Sequence, residues 1–243
     1  MPFYFIQKKD LTENTVQIGL PLAHHLISVL RYQKGDCLTL IDEHRNRHTV
    51  LIASLASNAV VCEVLSEVKP PPKKTPLLRL GVALLKGDKI DWAIQKATEL
   101  GVDRISPLIT QRVVLKIHND KIARQNKRWF EIAKESAQQS ERLEIPKIDT
   151  PMPLNSFLEE TQSTDMKFIF WEHAPPDPIR PTIHAALAHA PNSGAILIGP
   201  EGGWEKEEVD QAREKGYIAV SLGERPVRAE TAALAALTII GYM

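Results

Sequence analysis

Up to Val68 the apolar positions fall in short runs, FYFI (3–6), TVQI (15–18), CLTLID (37–42), HTVLIASL (48–55) and AVVCEVLSEV (59–68). Runs of this length, closed by polar and turn residues, predict strands and together a small barrel-like β domain. A single stretch at helical spacing, LAHHLISVLR (22–31), interrupts them. KPPPKKTP (69–76) then ends the pattern. Proline fixes φ and donates no hydrogen bond, so this segment fits neither a helix nor a central strand. It divides the chain into an expected domain over 1–70 and another over 71–243.

Beyond the prolines, apolar strands alternate with helical patterns. The strands are LLRLGVALL (77–85), RISPLI (104–109), KFIFWE (167–172), AILIG (195–199) and YIAVSLG (217–223). Helices are predicted over 88–100, 119–141, 181–190, 205–216 and 228–242. This order predicts an α/β fold, a mostly parallel sheet covered on both faces. Ile122, Trp129, Phe130, Ala133 and Ala137 form a one-sided stripe on the 119–141 helix, and Lys121, Arg124, Lys127, Arg128 and Lys134 cover much of the rest.

Composition sharpens this only a little. With 243 residues, 43% hydrophobic and 25% charged, the chain has a globular make-up. No apolar run approaches the roughly 20 residues that cross a bilayer. MPFYFIQKKD lacks the order of a secretory signal, so no membrane partner is expected and the location expected is cytoplasmic. Cys37 and Cys62 are too few for a disulfide framework or a thiolate zinc site, so no metal is expected. Charge changes the picture more. The formal net charge is zero, yet residues 71–150 carry 16 basic and 10 acidic side chains, while 151–243 carry 7 and 13. The basic segment fits a polyanion; contact between opposite-signed segments explains it equally well.

The candidate chemistry sits where AILIGPEGGWEKEEV (195–209) runs from a buried strand into bare backbone. Ligands of parallel sheets bind beyond the carboxyl ends of strands. Gly199, Gly202 and Gly203 are expected to leave room there for a flat ligand. A phosphate cradle fits poorly, because the lysine ending is missing and Glu201 occupies the loop. In VSLGERPVRAETAALAAL (220–237) a second strand ends at Leu222-Gly223, before Arg225, Pro226, Arg228 and an alanine-rich helix. Two such loops suit an uncharged heterocycle read by main-chain groups, adenine above all.

IGPEGG followed by LG-x-R-x-x-R-x-E-T-A resembles the ribosomal small-subunit (16S) RNA uridine-N3 methyltransferases, a family of the SPOUT, or trefoil-knotted, S-adenosylmethionine-dependent enzymes. HHLISVLRYQKGD is similar to that family's N-terminal PUA-like RNA-binding domain, KGDKIDWAIQKATELGVDRISPL to its first βα unit, and AKESAQQSERLEIP to its Q-S-x-R segment. The resemblance covers nearly the whole chain. It implies a PUA-like β-barrel over 1–70 and a C-terminal SPOUT α/β knot over 71–243. The implied cofactor is S-adenosylmethionine, released as S-adenosylhomocysteine. The implied partners are 16S rRNA, in the small ribosomal subunit or a late assembly particle, and a second copy of the chain in a homodimer. Gly199, Glu201, Gly202 and Gly203 would form one cofactor loop; Leu222, Gly223, Val227 and Thr231 the other; Glu172 and its neighbour His173 a third wall. Two features depart from the family pattern: Pro226 and Val227 stand between the loop arginines, and MPFYFI lacks the usual early arginine.

Uridine N3 carries a proton at neutral pH. A cation that favours the uridinate is therefore expected, and Arg228 is the candidate catalytic residue, with Glu230 orienting it or assisting proton removal. An ion pair at a helix start is the plain alternative. N3 lies on the pairing edge, so its target must be unpaired or flipped out. Arg31, Lys86, Lys96, Arg112 and Arg142 are the candidate phosphate contacts, each equally at home as a solvated surface residue. His24 and His25 are neighbours on a helix and point apart, against a shared metal. Trp92 and Trp129 fit core positions, and Trp204 either covers the cofactor or packs on the sheet. Two rival readings remain open: an RNA methyltransferase acting at another position, such as ribose 2′-O, and a non-catalytic RNA-binding assembly factor.

Overall fold

The computed structural model describes residues 3–113, 119–174 and 179–241. Met1 and Pro2, where the early arginine is missing, and the end of the last predicted helix lie outside the described residues. The chain forms two compact units, Met1–Pro72 with Ala137–Glu144, and Lys73–Ser136 with Ile145–Met243.

In the first unit, β1 (Phe3–Phe5), β2 (Thr15–Ile18), β3 (Cys37–Ile41), β4 (Arg47–Ala56) and β5 (Ala59–Val68) form one sheet in the order β1-β3-β4-β5-β2. Only β1 and β3 run parallel. Alternate residues turn inward, as the two-residue period of a strand requires. Val16, Ile18, Leu38, Leu40, Val50, Ile52, Val60 and Cys62 form the core. Register shifts in β4–β5 at Thr49/Val50 and Ile52/Ser54 bend that ribbon. Among the described residues no pairing joins β1 to β2, so the sheet is open between them. The helix expected over 22–31 is shorter: α1 (Leu22–His24) passes into a π-turn, His25–Val29. Arg31, at φ 57°, then leaves the helical path.

The rest of the chain runs through β6 (Leu77–Ala83), α2 (Lys89–Glu99), β7 (Arg104–Ile109), α3 (Asn119–Gln139), β8 (Lys147–Ile148), β9 (Met152–Pro153), α4 (Leu154–Glu160), β10 (Met166–Phe170), α5 (Ile179–Leu187), β11 (Ser193–Ile198), α6 (Lys206–Glu214), β12 (Ile218–Val220) and α7 (Ala229–Gly241). The strands make one sheet, β12-β10-β11-β6-β7-β8, with β9 also beside β7. Every pairing in it is parallel. From β6 the chain builds toward β8, then returns to build β10, β11 and β12 on the other side. Such a reversal is where doubly wound sheets open a crevice at the carboxyl ends of their strands.

Both faces of this sheet are covered, which is why its strands read as unbroken apolar runs. Phe168, Phe170, Ile196 and Ile198 pack with residues of α2, α3, α5 and α7. Ile169, Ala195 and Leu197 pack with residues of α4 and α6. Ala229, Ala233 and Ala236 are buried, Ala232 and Ala235 half-buried, and α7 packs on α2. The α3 stripe holds at Trp129, Ala133 and Ala137, with Trp129 Nε1–H donating to Asp91 Oδ1 at 3.1 Å. Phe130 departs from it at 43% exposed, one position round the helix from Trp129, and Trp92 is likewise 37% exposed instead of core.

Toward the amino ends of β6 and β7, the buried carboxylate of Asp149 accepts from Arg79 Nη2 at 3.1 Å, Arg104 Nε at 2.7 Å and Ser106 Oγ at 2.7 Å. Burial pushes Asp149 up, but these donors and the two guanidinium charges outweigh it and hold its carboxyl below the ordinary range. Residues from three distant stretches of chain are joined there.

Candidate functional site

Beyond the carboxyl ends of β10, β11 and β12 lies a cavity of about 400 Å³, within the size range of small-molecule sites. Three strand-end segments wall it: Phe170, Trp171 and Glu172 after β10; Ile198 to Glu201 with Gly203 and Trp204 after β11; and Ser221 to Gly223 with Arg225 to Ala229 after β12. The two glycine loops do not leave adjoining strands. β10 runs between β11 and β12, so its own loop forms the wall between them.

Pro200 to Gly203 form a tight turn in which Gly203 N–H donates to Pro200 O at 2.9 Å. Gly203 sits at φ 73°, a conformation costly for residues with a Cβ. The expectation that these glycines clear space for a ligand needs correction, because the space is filled by the protein itself. A Cβ at Gly199 would lie 2.9 Å from Trp204 Nε1, one at Gly202 would lie 3.3 Å from Arg112 Cβ, and one at Gly203 would strike Glu172 Oε1. Bare backbone lets Trp204 pass under the turn, where it is 3% exposed and donates from Nε1 to Phe170 O at 3.0 Å. Trp204 thus packs on the sheet, the second of the two readings of it, and also borders the cavity.

Glu201 does not project freely. Its Oε1 accepts from Lys86 N–H at 3.0 Å and from Lys89 Nζ at 3.3 Å. Burial pushes this carboxyl up, but the Lys86 amide and the Lys89 ammonium hold it below its usual value. Lys89 lines the cavity and was not singled out from sequence. Its place at the start of α2, close behind β6, is the signal in the sequence. Arg112 is also drawn into this region: Nε and Nη2 hold Glu205 Oε1 and Oε2 at 2.7 and 2.9 Å, and Nη1 donates to Gly202 O at 2.7 Å. Glu205 precedes α6, and its N–H donates to Glu208 Oε2 at 3.0 Å.

The second loop is the open one. Gly223 takes φ 122°, its N–H donates to Ser221 Oγ at 3.3 Å, and a Cβ built there meets nothing within 4 Å. Of the predicted cofactor residues, Glu172, Gly199, Glu201, Gly203, Leu222, Gly223 and Val227 line the cavity, whereas Gly202 and Thr231 do not. Arg228 lines it too. Glu230 stands outside the lining, with Oε2 shielded from solvent and lacking a hydrogen-bond partner among the described residues.

The predicted phosphate contacts divide between the two units. Arg31 and Arg142 belong to the first unit, Lys86, Lys96 and Arg112 to the second. Arg31 and Lys86 are exposed, Arg142 is half-buried, and Lys96 Nζ binds both oxygens of Glu99 at 2.9 and 3.0 Å. His24 and His25 are exposed, and no cluster of three metal-ligating side chains occurs among the described residues.

The lining suits an adenosyl group carrying an amino-acid tail. Phe170, Ile198, Leu222 and Ala232 offer apolar surface, the two turns offer main-chain donors and acceptors, and Arg225 and Glu172 supply charges of both signs. Comparison with known proteins agrees in kind. Residues 72–241 match the family model of the RNA methyltransferase domain. The ribosomal RNA small subunit methyltransferase E of Bacillus subtilis is 31% identical over 100% of this chain and 96% of its own length. Its namesake in Mesomycoplasma hyopneumoniae is 35% identical over 77% of this chain and 79% of its own. A crystal structure of the Neisseria gonorrhoeae protein of that name, bound to S-adenosylmethionine, superposes with a TM-score of 0.83 at 28% identity, covering 100% of this chain and 97% of that one. No helix among the described residues is long and apolar enough to cross a membrane. On the family match and on this identity along its whole length, the chain belongs to the ribosomal RNA small subunit methyltransferase E family.

Proposed function

We propose that this protein transfers a methyl group from S-adenosylmethionine to N3 of a uridine in 16S rRNA. The observation that carries the reading is the cavity walled by the strand ends of β10, β11 and β12, in a chain whose relative is solved with that cofactor. When bound, S-adenosylmethionine supplies an electrophilic sulfonium methyl and leaves as S-adenosylhomocysteine. The task of the chain is to orient the acceptor and manage one proton.

Arg228 lines the cavity at the start of α7 and stabilises the negative charge that develops on the uridine carbonyl oxygens as the N3 proton departs. Glu230 follows two residues later, outside the cavity lining, and its proposed part is to orient Arg228 or to assist the proton's departure to solvent. The N3 lone pair then forms the new N–C bond as the C–S bond breaks. The target base must be extruded from pairing to enter. Arg31, Lys86, Lys96 and Arg142 remain the proposed phosphate contacts. The resemblance further supports a deep knot around the two glycine loops, a PUA-like first unit, domains over 1–70 and 71–243, a homodimer, and action in the cytoplasm on the small subunit or a late assembly particle.

Nucleoside mass spectrometry of 16S rRNA after incubation with the protein and isotope-labelled S-adenosylmethionine tests this. Label in N3-methyluridine is expected. Label in a ribose 2′-O-methyl group, or none, overturns the assignment.

A further inference from the structure

Arg112 follows β7 by three residues, and its charge first placed it among the RNA contacts. Each of its three guanidinium nitrogens already makes a hydrogen bond. Two of its nitrogens grip both oxygens of Glu205, and the third donates to Gly202 O, all between 2.7 and 2.9 Å. The stem of Arg112 also fills the space beside Gly202, where a Cβ would stand 3.3 Å from Arg112 Cβ. One planar guanidinium therefore joins a carbonyl of the glycine turn, Gly202 O, to the residue that opens α6. Only a fork with fixed donor directions makes these bonds together; an ammonium is a point charge with freely rotating donors. The edge that would take a phosphate through Nε and Nη2 is thus held by a carboxylate, which leaves an RNA phosphate only the two remaining N–H groups.

We infer that Arg112 is a positioning residue for the cofactor loop, holding the Pro200–Gly203 turn in shape through Gly202 O, one residue on from the tie of Glu201 to Lys86 and Lys89. The clamp stands on geometry alone; that the loop receives S-adenosylmethionine rests on the function proposed above.

The test uses the full chain with Arg112→Ala, Arg112→Lys, Glu205→Ala and the double variant. Amide hydrogen exchange of residues 199–204 is read without ligand, S-adenosylmethionine affinity by calorimetry, and affinity for a 16S rRNA transcript by filter binding. Arg112→Ala and Arg112→Lys should each accelerate exchange in this segment and weaken cofactor binding by about tenfold, as loss of charge-assisted hydrogen bonds predicts. RNA affinity should stay within about twofold of the parent, since no phosphate contact is removed. The double variant should be no worse than Arg112→Ala, since the two residues act as one unit. The inference is overturned if exchange and cofactor affinity are unchanged while RNA binding falls in Arg112→Ala and returns in Arg112→Lys. Should the parent take up no S-adenosylmethionine, the proposed function fails, and the exchange measurement still decides the clamp.

Discussion

Glu201 Oε1 accepts the main-chain N–H of Lys86 at 3.0 Å, tying the glycine turn after β11 to the turn after β6. These strands are neighbours in the sheet, and the chain order reverses across them. Lys89 Nζ joins the same oxygen at 3.3 Å. The negative charge that argues against a phosphate cradle is thereby spent within the protein, as a strut across the crevice. Glu201→Ala should leave the Lys86 amide without its partner and loosen the turn, costing about 1 kcal/mol of stability for a part-exposed hydrogen-bonded pair. Glu201→Gln, which still accepts from Lys86, should retain more of the cofactor affinity. Urea unfolding and calorimetry on the two variants separate these effects.

Of the glycines that line the cavity, Gly223 is the one whose missing side chain faces open space. Gly223→Val should destabilise the chain by about 1–3 kcal/mol through its positive φ, and also project into the cavity. Gly199→Ala should act differently, by displacing Trp204 from beneath the turn. Near-ultraviolet circular dichroism should therefore report a changed tryptophan environment in Gly199→Ala and little change in Gly223→Val.

Arg228 should matter to turnover more than to cofactor uptake. Arg228→Ala is expected to lower kcat by about 10²–10³, the usual loss when one stabilising donor is removed from a transition state. S-adenosylmethionine affinity should change little. Steady-state kinetics with 16S rRNA and a parallel calorimetric titration check both halves. Equal losses in kcat and in cofactor affinity would instead make Arg228 a binding residue.

Asp149 sets an acid limit on stability. Its folded carboxyl is held below the ordinary value by Arg104, Ser106 and Arg79. Its contribution is thus complete above the unfolded value, about 3.9, and is lost as pH falls through the folded one. Asp149→Ala should cost about 1–2 kcal/mol at pH 7 by taking one acceptor from Arg79, Arg104 and Ser106, while Glu160 still accepts from both arginines. Asp149→Asn should flatten the fall in stability between pH 5 and the acid range, as followed by urea unfolding.

The order of strands and helices was legible because both faces of the sheet are buried, and the glycine loops were legible because each is contiguous in sequence. Why they are glycines was not. Trp204 sits close by in sequence, but Glu172 and Arg112 meet the turn only through the fold. The Arg112–Glu205 pair spans 93 positions, so no local pattern shows it, and motif position and charge point that arginine to RNA. α4 escaped notice although Leu154, Phe157 and Leu158 carry its helical spacing; it is short and starts directly after a proline. β8 and β9, two residues each, are too short for any period to show.

Calorimetric titration of the full chain with S-adenosylmethionine tests the central claim most directly. Saturable uptake at one site per chain, weakened by Gly223→Val and competed by S-adenosylhomocysteine, is the predicted result. No heat and no saturation for a folded parent protein would contradict it, and would leave the cavity at the ends of β10, β11 and β12 without its methyl donor.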